Sequence, residues 1–164
     1  MTTTTEHHDE TRITADRETP TIVITREFDA PPERVFRAHT DPDLLARWLG
    51  PRGYAMRVDS YDARTGGSYR YTHTDPDGNT YAFYGSFHEV RPHERIVQTF
   101  TYEPMPDGVS LETATFEDLG GRTRLTICSV VDSFEARDGM LASGMEHGVR
   151  EGYEQLDELL AADA

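Results

Sequence analysis

Hydrophobic and polar positions alternate along residues 21–28 and 54–131, which is the pattern of strands with one buried face. The first strand is predicted over Thr21–Phe28, where β-branched residues cluster. Turn sequences such as Asp75-Pro-Asp-Gly-Asn79 divide the later stretch into six further strands. These are predicted over residues 54–63, 68–74, 81–90, 95–102, 109–117 and 122–131. Strands that follow one another through short turns predict an antiparallel meander, so we expect a sheet of about seven strands.

The residues between the first strand and the meander carry two helix start signals. Asp29 precedes two prolines and an apolar face, and it is predicted to cap the first helix. Asp41-Pro42 repeats this signal for a second helix, which Gly50-Pro51 ends. We therefore predict two short helices after the first strand.

The last part of the chain has the period of a helix. Apolar residues recur at positions 141, 145, 149, 153, 156 and 160, so one stripe predicts a continuous helix of about 25 residues. Gly144, Gly148 and Gly152 lie beside this stripe, although each glycine costs a helix roughly 1 kcal/mol relative to alanine. Such a row lets another group approach the backbone closely. Close packing of the helix on the sheet is the commoner reason for it, and approach of a ligand is the alternative.

Composition restricts the chemistry of the chain. Its 164 residues contain 30 Asp and Glu against 16 Arg, with no Lys, and the formal charge is -14. Without lysine, neither a Schiff base nor a P-loop can form. No stretch is basic, so nucleic acid and anionic membrane surfaces are disfavoured as partners. Residues 1–19 hold few apolar side chains and are predicted to be a flexible leader to one domain over residues 20–162.

Metal, cofactor and nucleophile chemistry find no support in the sequence. Cys128 is the one cysteine, which excludes a disulfide within the chain and a cysteine-rich zinc site. His73 and His88 are predicted to lie about 23 Å apart along the hairpin, too far to share a metal. No Gly-x-Ser-x-Gly sequence occurs, and we assign no metal, no cofactor and no catalytic residue. With no signal peptide and no membrane span in the sequence, a cytoplasmic location is expected.

Together these elements predict a helix-grip arrangement, an α+β fold in which a curved antiparallel sheet wraps around a long C-terminal helix. Short sequences along the chain point the same way: Phe28-Asp-Ala-Pro-Pro-Glu-Arg-Val-Phe36, Trp48-Leu-Gly-Pro51, Gly66-Gly-Ser-Tyr69, Gly85-Ser-Phe-His-Glu-Val-Arg-Pro92 and Gly152-Tyr-Glu-Gln-Leu-Asp-Glu-Leu159. In this order and spacing the chain resembles the START/Bet v 1-like (SRPBCC) superfamily, and within it the bacterial AHSA1-like proteins, named for the activator of Hsp90 ATPase homology domain. That family usually has Gly-Trp in its last helix, where this chain has Gly152-Tyr153.

The resemblance implies a cavity between the sheet and the last helix that binds a small hydrophobic or aromatic molecule, in secondary metabolism, resistance or stress. Nine residues are the expected lining: Trp48, Tyr69, Tyr71, His73, Phe83, Phe100, Phe116, Met145 and Tyr153. Aromatic residues on a concave face more commonly fill a core, although the many tyrosines favour a wall with a polar interior. For Trp48, anchoring the second helix is the alternative role.

Two other functions stay open. An enzyme resembling polyketide cyclases or dehydratases would need an inward acid or base, for which Tyr71 and His73 are the candidates. A protein-interaction module resembling a cochaperone would need an exposed apolar patch, which the charged sequence disfavours. An interior built of aromatics, glycine and a few hydroxyls favours binding over catalysis. Homodimer formation is an open expectation, because no residue predicts the interface.

Overall fold

Within residues 10–162, the range that the computed structural model describes, the chain forms eight strands and four helices. In chain order they are β1 (Arg12–Ala15), β2 (Thr21–Phe28), α1 (Pro32–Thr40), α2 (Pro42–Trp48), β3 (Ala55–Tyr61), β4 (Ser68–Thr74), β5 (Thr80–Arg91), β6 (Arg95–Tyr102), β7 (Ser110–Asp118), β8 (Thr123–Val130), α3 (Phe134–Ala142) and α4 (Met145–Ala162). The strands form one antiparallel sheet in the order β1-β2-β8-β7-β6-β5-β4-β3. The predicted meander is confirmed as β3–β8, and the α+β helix-grip fold is confirmed with it.

The core lies on the concave face of the sheet. Alternate residues of β2, from Ile22 to Phe28, are buried there, and so is Leu125 of β8. Leu156 and Leu160 of α4 are buried from the other side. The backbone of α4 packs more extensively against α2 than against any strand. Most of the α4 backbone is therefore separated from the sheet by side chains.

The sheet has a strand that the sequence did not predict. Residues 12–15 were expected to belong to the flexible leader, and they form β1 instead, paired with β2 in a register that puts Ile13 opposite Ile24. Ile13 packs against the core, while the other residues of β1 are exposed. A single inward apolar residue produces no alternation of apolar and polar positions, so the sequence pattern could not predict this strand. The remainder of the predicted leader up to residue 9 lies outside the described residues.

The last helix is broken where a continuous helix was predicted. Helix α3 ends at Ala142, the Ser143 N–H donates to the Met140 carbonyl, and Gly144 has φ +86° before α4 begins at Met145. Glycine adopts a positive φ of this size without steric strain because it has no Cβ, and such a residue ends a helix in the same way as a C-terminal glycine cap. The apolar spacing of residues 141 and 145 continues across the break, so periodicity alone could not reveal it.

The other two glycines of the row face the loop after α2, not the sheet. A Cβ on Gly152 would lie 3.3 Å from both the Gly50 nitrogen and the Trp48 carbonyl oxygen, and a Cβ on Gly148 would lie 3.4 Å from Pro51 Cγ. The expectation of close packing on the sheet is thus corrected. What approaches the helix is the backbone that leaves α2.

Of the two predicted helix caps, one is present and the other is not. Asp41 caps α2, and its carboxylate accepts from the Asp43 N–H at 3.0 Å. The N-cap of α1 is Pro31, without a side-chain hydrogen bond, and the expectation for Asp29 is wrong. Prolines occupy the two positions whose N–H groups an Asp29 cap would bind, so no donor is available there. Asp29 instead pairs with Arg122, with 3.1 Å between Oδ1 and Nη1.

Candidate functional site

The predicted lining residues separate into two aromatic clusters on the concave side of the sheet. The first, here called the helix-side cluster, consists of Phe28, Phe36, Trp48, Phe116 and Tyr153. The ring of Trp48 stacks on that of Tyr153 at a centroid distance of 6.0 Å, and its indole N–H donates to the Ala38 carbonyl at 2.8 Å. Trp48 is 3% exposed and Phe116 is 5% exposed. These contacts favour the anchoring role for Trp48, which ties α2 to α1 and α4.

The second group, here called the hairpin-side cluster, consists of Tyr69, Tyr71, His73, Phe83 and Phe100. The three β4 members alternate onto one face and are buried. Phe83 and Phe100 are half-buried and stack across β5 and β6 with ring centroids 5.1 Å apart. Phe87 belongs to the same surroundings, fully buried against Tyr69, and the sequence prediction omitted it.

Met145, the ninth predicted residue, begins α4 directly after the break and is half-buried. Met140 and Leu141 before the break are half-buried as well, and all three pack against the core. The Ser110 hydroxyl of β7 lies 3.8 Å from Met140 Sδ and donates to it. The break therefore lies near the start of β7. The space between the concave face of β4–β8 and the helices α3 and α4 is here called the interior.

A carboxyl group that the sequence prediction missed faces this interior. Glu112 lies on β7, directly opposite Gln98 of β6 on one side and Ser129 of β8 on the other. It shares the face of Ala114 and Phe116, because alternate residues of a strand point the same way. That alternation was the available signal. The predicted lining consists of aromatic residues, a histidine and a methionine, and it does not include Glu112.

The Glu112 carboxyl lies deep in the fold and has no partner within the described part of the chain. Its side chain is half-buried, yet it lies deep enough that burial raises the pKa of the carboxyl from 4.5 to about 7. Within residues 10–162, no hydrogen bond or ion pair reaches the carboxyl. Glu112 is therefore a deep carboxyl that keeps part of its surface accessible and has no partner among the described residues.

Hydroxyl groups around Glu112 share this lack of partners. In the part of the chain that the structure describes, Tyr71 and Tyr153 make no hydrogen bond through their hydroxyls, and the buried Ser129 Oγ has none either. Burial raises the pKa of both tyrosines, and the nearby Glu112 carboxylate raises it further. Tyr69 differs, because its hydroxyl donates to the Thr99 carbonyl at 2.5 Å and accepts from Gln98 Nε2 at 3.2 Å.

His73 lies at one end of the interior, against the loop after α2. A Cβ on Gly50 would lie 2.7 Å from His73 Cε1, so the imidazole packs directly on the glycine backbone. Among the described residues, the buried Nδ1 of His73 finds no hydrogen-bond partner. Burial lowers the pKa of His73 from 6.5, so the ring is neutral at pH 7. It can therefore offer a hydrogen bond but no charge.

Two surface pockets lie outside the interior. One of about 320 Å³ on the outer sheet face is bordered by Arg70 and Glu103, and another of about 520 Å³ lies between α2 and β3. None of the nine predicted residues borders either of them. Among residues 10–162, His, Cys, Asp and Glu side chains do not gather in threes as a metal site requires. Over the same range, no helix combines the length and apolar character needed to span a membrane.

Comparisons with known proteins agree with this architecture. The family described as Activator of Hsp90 ATPase homolog 1-like protein matches residues 29–161. The crystal structure of protein Ms6760 from Mycobacterium smegmatis is 32% identical, covers 94% of this chain and 100% of its own, and superposes with a TM-score of 0.84. A solution structure from Arthrobacter aurescens is also 32% identical; it covers 92% of this chain and 91% of its own, with a TM-score of 0.84. A crystal structure from Rhodobacter sphaeroides is 31% identical; it covers 93% of this chain and 99% of its own, with a TM-score of 0.83. No curated protein matches the chain.

Proposed function

The chain belongs to the Activator of Hsp90 ATPase homolog 1-like family, and we propose that it binds a small hydrophobic or aromatic molecule in the interior. The unpartnered polar groups of the interior carry this proposal. Side chains that fill a core completely are close-packed, and buried polar groups among them are hydrogen-bonded. Among the described residues, Ser129 Oγ and His73 Nδ1 depart from this rule. In addition, no described residue binds the side-chain oxygens of Glu112, Tyr71 or Tyr153. A bound molecule or water would supply the missing partners.

The apolar part of the wall supports the same proposal. Phe83 and Phe100 on the sheet, Ile127 on β8, and Met145 and Val149 on α4 are half-buried and pack against the core. They surround the polar groups from both the sheet side and the helix side. Small-molecule sites in proteins have this composition, a mainly apolar wall with a few polar groups that orient the ligand.

The proposal is tested with N-phenyl-1-naphthylamine, an uncharged probe whose fluorescence rises in apolar surroundings. We expect saturable binding to the wild-type chain. Ala114→Phe places a ring in the interior beside Glu112, and we expect it to weaken binding about tenfold or more. Thr115→Phe adds the same ring to the exposed opposite face of β7 and is the matched control. Absence of saturable binding to the wild type, or equal weakening by both variants, would contradict the proposal.

One observation favours an enzyme of the polyketide cyclase or dehydratase type as the second candidate. An inward carboxyl with a pKa of about 7 suits general acid or base catalysis near neutral pH. Glu112 would exchange the proton, and Tyr71 and His73 would orient the substrate. Any turnover found should be abolished by Glu112→Gln and lowered by Tyr71→Phe. Turnover that survives both substitutions would exclude these residues.

A further inference from the structure

The inward carboxyl also indicates which molecules the interior selects, an inference that rests on the proposed function. Gln98, Glu112 and Ser129 are register partners across β6, β7 and β8, and they are here called the polar row. Side chains directly opposite in neighbouring antiparallel strands lie about 5 Å apart, so the three form one continuous polar strip. On the same face, Ala114 is flanked by Ile96 and Ile127, so the row after the polar strip is wholly apolar.

The polar row has acceptor capacity that the protein does not use. The Gln98 amide is engaged with the Tyr69 hydroxyl at 3.2 Å. The Ser129 hydroxyl, on a residue 5% exposed, is buried, and its Oγ has no partner within the described range 10–162. The Glu112 carboxyl is equally without a partner among those residues. The chemistry missing at the centre of the row is therefore a hydrogen-bond donor, and for an ionised carboxylate a positive charge.

The inward cation on the neighbouring part of the sheet does not supply that charge. Arg26 of β2 donates to both carboxylate oxygens of Asp157 and to the Glu27 carbonyl at 2.7 Å. Its guanidinium also lies over the Phe28 ring, 4.9 Å from the centroid. The chain contains no lysine that could reach the row in its place. When Glu112 is ionised, a bound molecule that carries a positive charge would supply the counter-charge.

We propose that the interior binds small aromatic or alicyclic molecules that carry a protonated amine, with the ammonium group donating to the Glu112 carboxylate and the Ser129 hydroxyl and the ring packing against Phe83 and Phe100. A charged donor and a charged acceptor form the stronger class of hydrogen bond, and burial strengthens it further. The formal charge of -14 attracts cations to the protein as a whole. An anionic ligand would be repelled by the same carboxylate.

The test compares 1-(aminomethyl)naphthalene with 1-(hydroxymethyl)naphthalene by calorimetry at pH 8. At this pH the amine is protonated and Glu112 is largely ionised, while burial keeps Tyr69, Tyr71 and Tyr153 neutral. We expect the wild type to bind the amine at least about tenfold more tightly than the alcohol. Glu112→Gln should remove this preference and retain the affinity for the alcohol. Glu117→Gln is the matched control, because Glu117 is exposed on the opposite face of the same strand, where it binds Arg124.

The outcomes separate this inference from the proposed function. An amine preference that persists in Glu112→Gln, or that is equally lost in Glu117→Gln, overturns the assignment to Glu112. Equal affinity of the wild type for amine and alcohol overturns the inference while leaving the proposed function in place. If the wild type binds neither naphthalene compound nor N-phenyl-1-naphthylamine, the proposed function fails and the inference fails with it. Circular dichroism of both variants establishes that a lost preference does not come from a lost fold.

Discussion

Two single residues impose opposite pH dependences on the stability of this fold. Burial raises the pKa of Glu112 to about 7, so the folded state holds its proton more tightly than the unfolded state does. Burial also lowers the pKa of His39 to about 4, so the folded state holds that proton less tightly. Between pH 4.5 and 6.5 the two effects offset each other, so the unfolding free energy of the wild-type chain should depend only weakly on pH. Substitution of either Glu112 or His39 alone should make this dependence steeper.

Glu112→Gln should stabilise the protein most at alkaline pH. The penalty of the buried carboxylate is complete above pH 7 and absent below pH 4.5, because the folded pKa is raised from 4.5 to about 7. We expect the variant to exceed the wild type by roughly 3 kcal/mol in unfolding free energy at pH 8, with the difference closing towards pH 4.5. Urea unfolding at four pH values measures this difference. A gap that is independent of pH would show that the carboxyl titrates normally.

His39→Phe should remove the acid sensitivity that the wild type owes to this side chain. His39 Nδ1 donates to the Val35 carbonyl at 2.7 Å, and its Nε2 is buried with no partner in the described chain. The neutral ring stabilises the fold above pH 6.5, and the stability is lost as the pH falls to about 4, by roughly 3 kcal/mol in total. Phenylalanine keeps the ring contacts with Trp48 and cannot be protonated. Urea unfolding between pH 4.5 and 6.5 should show a shallow pH dependence of the unfolding free energy in the wild type, whereas in His39→Phe this free energy should rise as the pH falls, because the Glu112 effect is then unopposed. His88→Phe makes the same substitution at an exposed position and is the matched control, and an equal effect in both variants would show that the effect is not specific to His39.

At the scale of elements, the glycine row of the last helices has two structural roles. Gly144 provides the positive φ at which the helix breaks, while Gly152 admits the loop after α2. Gln155 reinforces that second contact by donating to the Trp48 and Gly50 carbonyls at 3.2 and 2.8 Å. The middle of α4 and the loop after α2 are thus held in close contact, which leaves little room for any added atom at Gly152.

The two glycines of α4 should respond oppositely to substitution by alanine. A Cβ on Gly152 would press on backbone atoms at 3.3 Å, so Gly152→Ala should destabilise the protein by roughly 1–3 kcal/mol. A Cβ on Gly148 would meet the side chain of Pro51 at 3.4 Å, an ordinary contact. Gly148→Ala should therefore gain up to about 1 kcal/mol of helix propensity. Chemical denaturation of both variants measures the two effects. Destabilisation of similar size in both would argue against a specific contact at Gly152.

The elements also show what the sequence could and could not predict. The meander was predictable because each strand carries its own alternation and its own turn signal, and β4 and β6 have the predicted bounds. Strand β1 and the break at Gly144 depend on pairing and backbone geometry that leave the local pattern unchanged. For the candidate site, alternation indicated the inward aromatics of β4. Their separation from the helix-side cluster depends on how the helices cross the sheet, which no local pattern encodes.

For the whole molecule, the two ends of the described chain are tied to each other. Strand β1 covers the edge of β2, and its preceding residue Thr11 accepts from Arg150 of α4 at 2.5 Å. The buried Arg137 of α3 donates to the Asp16 carbonyl and, at 3.3 Å, to the Thr19 carbonyl. Strand β1 and the residues that flank it therefore hold both α3 and α4 over the interior. The shape of the interior thus depends on β1, although β1 itself does not line it.

Deleting residues 1–16 should accordingly weaken the whole protein, not just one edge of the sheet. The deletion removes the β1 ladder, the cover that Ile13 gives the core, the carbonyl acceptor of Arg150 and one of the two carbonyl acceptors of Arg137. It also exposes β2 as an unpaired edge. We expect the melting temperature to fall by roughly 10 °C and binding of N-phenyl-1-naphthylamine to weaken with it. Deleting residues 1–9 removes none of these contacts and is the control, so the two truncations should behave differently in thermal unfolding. Equal melting temperatures would show that β1 does not stabilise the fold. A lower melting temperature with unchanged probe binding would instead show that the interior keeps its shape without the strand, and that contacts with α1, α2 and β2 are enough to hold α3 and α4 in place.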